Sequence, residues 1–330
     1  MPWLTSLYTS LVKAHKDSRL GHGLLFTGDD GVGRFKLAQQ IAKYILCSNK
    51  EHSNKSCNIC HACHLVAADT HLDLHLLKKA ENKQSITIDQ IRELINNLNE
   101  CAHLGNNKVV IIKDAQFLNV QAANALLKTL EEPQANTYLI LLANNREQLL
   151  PTLISRVQHT HIYPPNAKTL SDWLIKQGIK QPDQSLFPLF KNSPLALLNH
   201  LQHQTDDTRK GCVEGLFSLQ HEPQSLFLFS EYIAKYADKN LETLFFLLHD
   251  IHKLKMSNKA SKHSIMFNFA LPQLMIWQDQ ITLKNLRTLS LNILKTRSLL
   301  ITHSALKKEL LINALLINIK NKFKSSTNVG

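Results

Sequence analysis

Three glycines between an apolar run and a helical periodicity constrain this chain more than any other feature. Gly23-Leu-Leu-Phe-Thr27 leads into Gly28-Asp-Asp-Gly-Val-Gly33, after which Leu37, Ala38, Ile41, Ala42, Ile45 and Leu46 recur at helical spacing. Strand, glycine loop and helix in this order build a turn whose backbone N–H groups can surround a phosphate. In the template G-x-x-x-x-G-K-[ST], a Lys then reaches the terminal phosphates and a hydroxyl binds Mg²⁺. Here those two positions are Arg34, a planar fork of different reach, and Phe35, which ligates nothing. A second apolar run, Lys108 to Ile112, ends in Lys113-Asp114-Ala115. Asp114 stands where a magnesium-orienting carboxylate belongs, but Ala115 offers no base to polarise water. The expectation is a degenerate phosphate loop, with Gly28, Gly31, Gly33 and Arg34 keeping its frame, that binds no ATP and persists as a turn packing its helix.

The rest of the first half repeats the alternation. Thr87 and Gln90 stand in capping-box spacing before Ile88, Ile91, Leu94, Ile95 and Leu98 on one helical face. Asn119 caps a helix expected through Leu130 and stopped by Pro133, and Tyr138 to Leu142 supplies another buried strand. Strands alternating with helices predict an α/β domain with a mainly parallel sheet covered on both faces. Beyond Pro164-Pro165 only helical runs occur: Leu170 to Leu174, Pro194 to Leu201, Leu241 to Leu248 and Leu306 to Ile319. Asp183, Pro188 and Ser193-Pro194 interrupt a small bundle that runs to about Leu201, and Gln202 to Arg209 reads as a polar hinge before a larger all-helical domain. Three domains follow, at 1–165, 166–207 and 208–330, the last two all-α.

Cys47, Cys57, Cys60 and Cys63 gather four thiols within 17 residues, directly after the helix that follows the glycine loop. Two thiolates three positions apart turn inward on one tight loop, and four satisfy the tetrahedral preference of Zn²⁺. An iron–sulfur cluster is the rival, since C-x2-C-x2-C also occurs in ferredoxins, where a fourth Cys follows closely and is succeeded by Pro. Here the fourth precedes by ten and no Pro follows, which favours a structural zinc in a module at 47–63. His52, His61 and His64 are substitute ligands that four cysteines make unnecessary. Cys101 and Cys212 stand apart and read as small core residues.

With 330 residues, 44% of them hydrophobic and 19% charged, the chain can bury more than one core. No apolar stretch reaches the length of a membrane helix, and the N-terminus lacks a signal-peptide pattern, so a cytoplasmic protein with no membrane partner is expected. The net charge of +12 is uneven: residues 251–330 hold thirteen Lys and Arg against Asp279 and Glu309. That region is either a surface for phosphate backbones or a solvated helical face enriched in Lys.

In order along the chain, Gly28 to Gly33, the cysteines, Lys108 to Asp114, Ala123-Asn-Ala-Leu-Leu-Lys-Thr-Leu-Glu-Glu-Pro133 and Ser155-Arg156 resemble the AAA+ subunits of the bacterial DNA polymerase III clamp loader. The degenerate nucleotide motifs make the chain similar to the delta-prime branch rather than the gamma/tau motor. The resemblance is clear over the first half and weaker over Asn192 to Ala196 and Leu306 to Ile319. It implies an AAA+ domain, a helical lid and a collar, in a pentamer that uses ATP to place the sliding clamp on primed DNA. Gamma/tau, delta and the clamp are the implied partners. In that family an Arg after Ser reaches a neighbour's ATP, which assigns Arg156, with Ser155, as an arginine finger in trans; Val157 departs from the family's Cys. Asn144 matches the first nucleotide sensor, whereas Leu195 replaces the arginine of the second. Lys128, Glu131 and Glu132 receive no chemical role. Two other classes remain: a self-sufficient ATPase with divergent motifs, and a zinc-containing DNA-binding protein. Against the latter, Lys50 and Lys55 near the cysteines are offset by Glu51 and Asp69.

Overall fold

The computed structural model describes residues 1–49, 54–80, 83, 85–99, 102–104, 107–203, 208–222, 224–256, 265–302 and 307–323. Lys50, Glu51, His52, Cys101, Leu306 and residues 204–207 of the expected hinge lie outside the described residues. Two compact units emerge, one formed by Met1–Lys180 with Lys191–Asn199, the other by Gln181–Phe190 with His200–Gly330. This division runs through the stretch 166–207.

The first unit is built on five parallel strands, β1 (Gly23–Thr27), β2 (Leu74–Leu77), β3 (Lys108–Ile112), β4 (Thr137–Ala143) and β5 (Gln158–His161), in the order β2-β3-β4-β1-β5. Side chains alternate across the sheet with period two, and in the three central strands, β1, β3 and β4, both sets are buried apart from the half-buried Tyr138. Leu24, Phe26, Val109, Ile111, Ile140 and Leu142 pack beneath α1 (Thr5–Lys16) and α2 (Arg34–Leu46). On the opposite face Leu25, Val110, Ile112, Leu139 and Leu141 meet α4 (Ile88–Asn99) and α5 (Val120–Glu131); α3 (His61–Ala67) is the short helix after the third cysteine. The expected caps form. Asn119 Oδ1 accepts from the Ala122 N–H at 2.7 Å, and the Thr87 N–H donates to Gln90 Oε1 at 3.1 Å.

β1 and β3 coincide with their expected spans, and β4 gains one residue at each end. The sequence reading missed β2 and β5, and they are the two edges of the sheet. An edge strand is less enclosed than a central one, so β5 is the polar Gln-His-Thr-His, without an apolar run to betray it. Side chains help to secure it: the Thr27 hydroxyl of β1 is hydrogen-bonded to His159 Nε2 at 2.7 Å and His161 Nδ1 at 2.8 Å. After β5 no strand follows among the described residues. A short helix α6 (Pro151–Ile154) precedes β5; α7 (Ala167–Lys176) and α8 (Pro194–His203) come after it.

The second unit is helical: α9 (Thr208–His221), α10 (Ser225–Lys235), α11 (Ala237–Met256), α12 (Leu271–Gln280), α13 (Leu283–Thr302) and α14 (Lys308–Lys322). Its core surrounds Trp277, Phe267 and Leu247, and Cys212 is buried there as expected. Two buried charges pin the turn at Met266 from opposite sides. Asp250 accepts the N–H groups of Met266 at 2.6 Å and Phe267 at 2.9 Å, while Arg209 donates to the Met266 carbonyl at 2.8 Å. Arg209 also donates to Ser185 Oγ at 2.9 Å and pairs with Asp183, which fastens Gln181–Phe190 into this unit. Burial pushes the Asp250 carboxyl up from its ordinary value against the opposing pull of the Phe267 N–H and Lys253. Asp250→Ala would strand two buried donors, so urea unfolding should register a loss of about 2–5 kcal/mol, whereas Asp250→Asn, which keeps an acceptor, should lose less than half of that.

Candidate functional site

Parallel strands deliver their following loops to one edge, and the carboxyl ends of β1, β3 and β4 bring together Gly28–Arg34, Lys113–Asp114 and Asn144. The loop retains its glycine geometry. Gly31 has φ +82°, and a Cβ there would lie 2.7 Å from the Ala196 amide nitrogen. So close an approach admits only glycine. The chain itself uses this proximity, since the Leu195 N–H donates to the Gly31 carbonyl at 2.9 Å. Thus the start of α8 lies against the loop, with Leu195 lining its recess.

Arg34, in the position of the phosphate-reaching Lys, folds back onto Asp30 in an ion pair and is only 8% exposed. Its Nη1 is buried with no hydrogen-bond partner among the described residues. Two carboxylates, Asp29 and Asp30, sit where a phosphate loop needs positive potential; Asp29 is paired with Lys191 at 3.5 Å. The ring of Phe35 carries the Lys113 ammonium 4.1 Å from its centroid, an apolar and cationic pairing in the place of a magnesium site. Asn144 spans the gap: its carbonyl oxygen accepts the Gly28 N–H at 3.2 Å and its side-chain amide donates to Asp30 at 3.4 Å. The recess left among Asp30, Gly31, Arg34, Phe35, Lys113 and Leu195 measures about 270 Å³, below the ~300–1,000 Å³ of most ligand pockets.

On the same unit, Ser155, the C-cap of α6, and Arg156 form the turn between α6 and β5. This bend rests on Gly23, where a Cβ would lie 3.1 Å from the Arg156 carbonyl oxygen and 2.9 Å from Leu130. The guanidinium is held by Glu131, the last residue of α5, with Nε donating to Oε1 at 2.7 Å and Nη2 paired to the same oxygen. Nη1 donates to the Thr152 carbonyl at 3.0 Å and to Ser155 Oγ at 3.1 Å. A carboxylate at a helix C-terminus is disfavoured by the helix dipole, and Arg156 offsets that cost.

The four cysteines converge. Sγ–Sγ distances are 3.6 Å for Cys47–Cys57 and 4.0 Å for both Cys47–Cys60 and Cys57–Cys63, and all four sulfurs lie within 4.8 Å of one another. Disulfides would require about 2.05 Å. Four sulfurs bonded at about 2.3 Å to a tetrahedral ion stand about 3.8 Å apart, so this set can hold a metal ion of that size. The backbone prepares them for negative charge: the N–H groups of Cys57, Cys60 and Cys63 donate to the sulfurs of Cys47, Cys57 and Cys60 at 3.3, 3.3 and 3.4 Å. Burial resists ionisation of Cys60, but N–H groups from Cys63 and Ser48 outweigh it and bring the thiol to about 6. More deeply buried, Cys63 is pushed up to about 12. His61 and His64 are exposed and outside the cluster.

A family model described as DNA polymerase III, delta subunit, matches residues 3–166. The DNA polymerase III subunit delta′ of Escherichia coli (strain K12) is 31% identical over 323 residues, covering 97% of this chain and 95% of that one. The chain belongs to the DNA polymerase III delta-prime family. The Haemophilus influenzae delta′ subunit is 35% identical over 211 residues, 63% of this chain and 64% of its own length. Among solved structures, a DNA polymerase III gamma subunit-related protein from Thermotoga maritima superposes with TM-score 0.50 at 18% identity, covering 94% of this chain and 99% of that one, and so shares its fold. The fold is that of the clamp-loader AAA+ proteins.

Within this delta-prime family member, sequence reasoning gave Glu131 no chemical role and so missed its pairing with Arg156. Its partner is 25 positions away, and only the packing of α5 beside α6 unites them. It also gave no role to Asp30, although Asp30 and Arg34 are spaced i,i+4 across the start of a helix, which hints at pairing. Among the described residues no helix is long and apolar enough to cross a membrane.

Proposed function

We propose that this chain is the non-hydrolysing stator of a DNA polymerase III clamp loader, supplying Arg156 in trans to the ATP held by a neighbouring gamma/tau subunit while the assembly, with delta, places the sliding clamp on primed DNA. The observation that carries this reading is the pairing of an occupied loop with an arginine that stays partly exposed. Arg34 is turned onto Asp30 and Leu195 is bonded to Gly31, whereas Arg156 remains 35% exposed in the turn after a short helix. A guanidinium at a neighbour's γ-phosphate stabilises the charge of the transferring phosphoryl group. In this reading residues 166–207 form the lid and 208–330 the collar. Support for the collar comes from α10, where Phe227 and Leu228 are 70% and 71% exposed, apolar surface suited to partner helices.

Changing Arg156 to Ala in the reconstituted complex should leave assembly intact and reduce ATP-dependent clamp loading by about tenfold or more; unchanged loading would remove the finger role. The competing reading, a self-sufficient ATPase, is separated by titration of the isolated chain with ATP and Mg²⁺. No binding heat and no phosphate release are expected, and hydrolysis abolished by substitution of Gly33 would overturn the stator reading.

We further infer that the cysteine set holds a structural zinc. All four positions of a tetrahedral ion are filled by protein thiolates, leaving none for substrate, and zinc would tie the end of α2 to the start of α3. Metal analysis should find one zinc per chain and none in Cys60→Ser, together with a lowered melting temperature; iron with visible absorbance would contradict it.

A further inference from the structure

The contacts of Arg156 point to a function for Glu131 that deepens the trans-acting reading and rests on it. A guanidinium has five N–H donors. Nε and one Nη2 hydrogen go to Glu131, and the two Nη1 hydrogens go to Thr152 O and Ser155 Oγ. A single Nη2 donor is left over. Arginine grips phosphate best through two parallel donors of its fork, and each edge of this fork is at least half occupied. The edge built from Nε and Nη2 is occupied by a carboxylate, which carries the same sign of charge as the phosphate that would replace it.

We propose that Glu131 is the positioning residue of Arg156, holding the guanidinium in a parked, charge-neutralised state that an incoming phosphate must displace. Its strength suits exchange. The carboxylate is 49% exposed and the arginine 35%, and a pair so exposed shifts an equilibrium by only about 1.5- to 5-fold. Such a contact orders the side chain without locking it. Because Glu131 ends α5, the helix whose start is capped by Asn119, the parked arginine is tied to a rigid element of the sheet domain rather than to a loop.

The test is ATP hydrolysis by the reconstituted complex carrying Glu131→Gln, which keeps size and an acceptor oxygen but removes the charge. The expected result is a rise of about 1.5- to 5-fold at subsaturating ATP, seen as a lower KM with kcat little changed, and no effect of E131Q when Arg156→Ala is also present. Glu131→Ala, which removes acceptor and charge together, should shift KM the same way. If R156A lowers hydrolysis while E131Q and E131A lower it too or leave KM unmoved, Glu131 is only a structural partner and the proposal fails. Should R156A itself leave hydrolysis unchanged, the trans-acting reading falls first and the role of Glu131 falls with it.

Discussion

Burial of β1, β3 and β4 on both faces is the constraint from which the rest of the N-terminal unit follows. Each apolar residue removed from water stabilises the fold by about 25 cal/mol per Å², and these strands place their apolar side chains in one of two cores. Parallel strands so enclosed must be joined by helices crossing over the sheet, and the loops after the strands are forced to one edge. The glycine turn, Lys113 and Asn144 meet there for this reason, whether or not anything binds them. The geometry of a nucleotide site is therefore a by-product of the fold, and its chemistry can be lost residue by residue without loss of structure. Phe35 and Ala115 are both compatible with the turn, and neither side chain carries an oxygen that could ligate Mg²⁺ or polarise water.

How legible this molecule is in its sequence depends on how local the physics is. The central strands announce themselves because two-sided burial demands uninterrupted apolar residues, as in Val109 to Ile112. The cysteines do so because three of the four thiols are brought together by one tight loop. Caps at Asn119 and Thr87 need only a turn of helix. By contrast β5 is concealed because its stability comes from pairing with β1 and from the Thr27 hydroxyl, 132 and 134 positions from the two histidines it binds. The Arg209–Met266–Asp250 junction is hidden for the same reason: nothing in the local composition distinguishes a buried Asp from a solvated one.

Arg156 lies between these cases. Its identity as a residue of interest came from resemblance to a family, and its surroundings could come only from the fold. Gly23, which reads in sequence as the first residue of a strand, leaves room beside β1 for the bend that carries Arg156. Two residues whose spacing along the chain suggests no connection thus set where one guanidinium sits.

The bond from the Leu195 amide to the Gly31 carbonyl has a consequence for how this subunit responds to its surroundings. A loop completed by a dissolved ligand is stabilised by mass action, in proportion to the logarithm of ligand concentration. Here the completing group is covalently part of the chain, so its effective concentration is fixed by the fold. The contact neither fills nor empties as metabolite levels change.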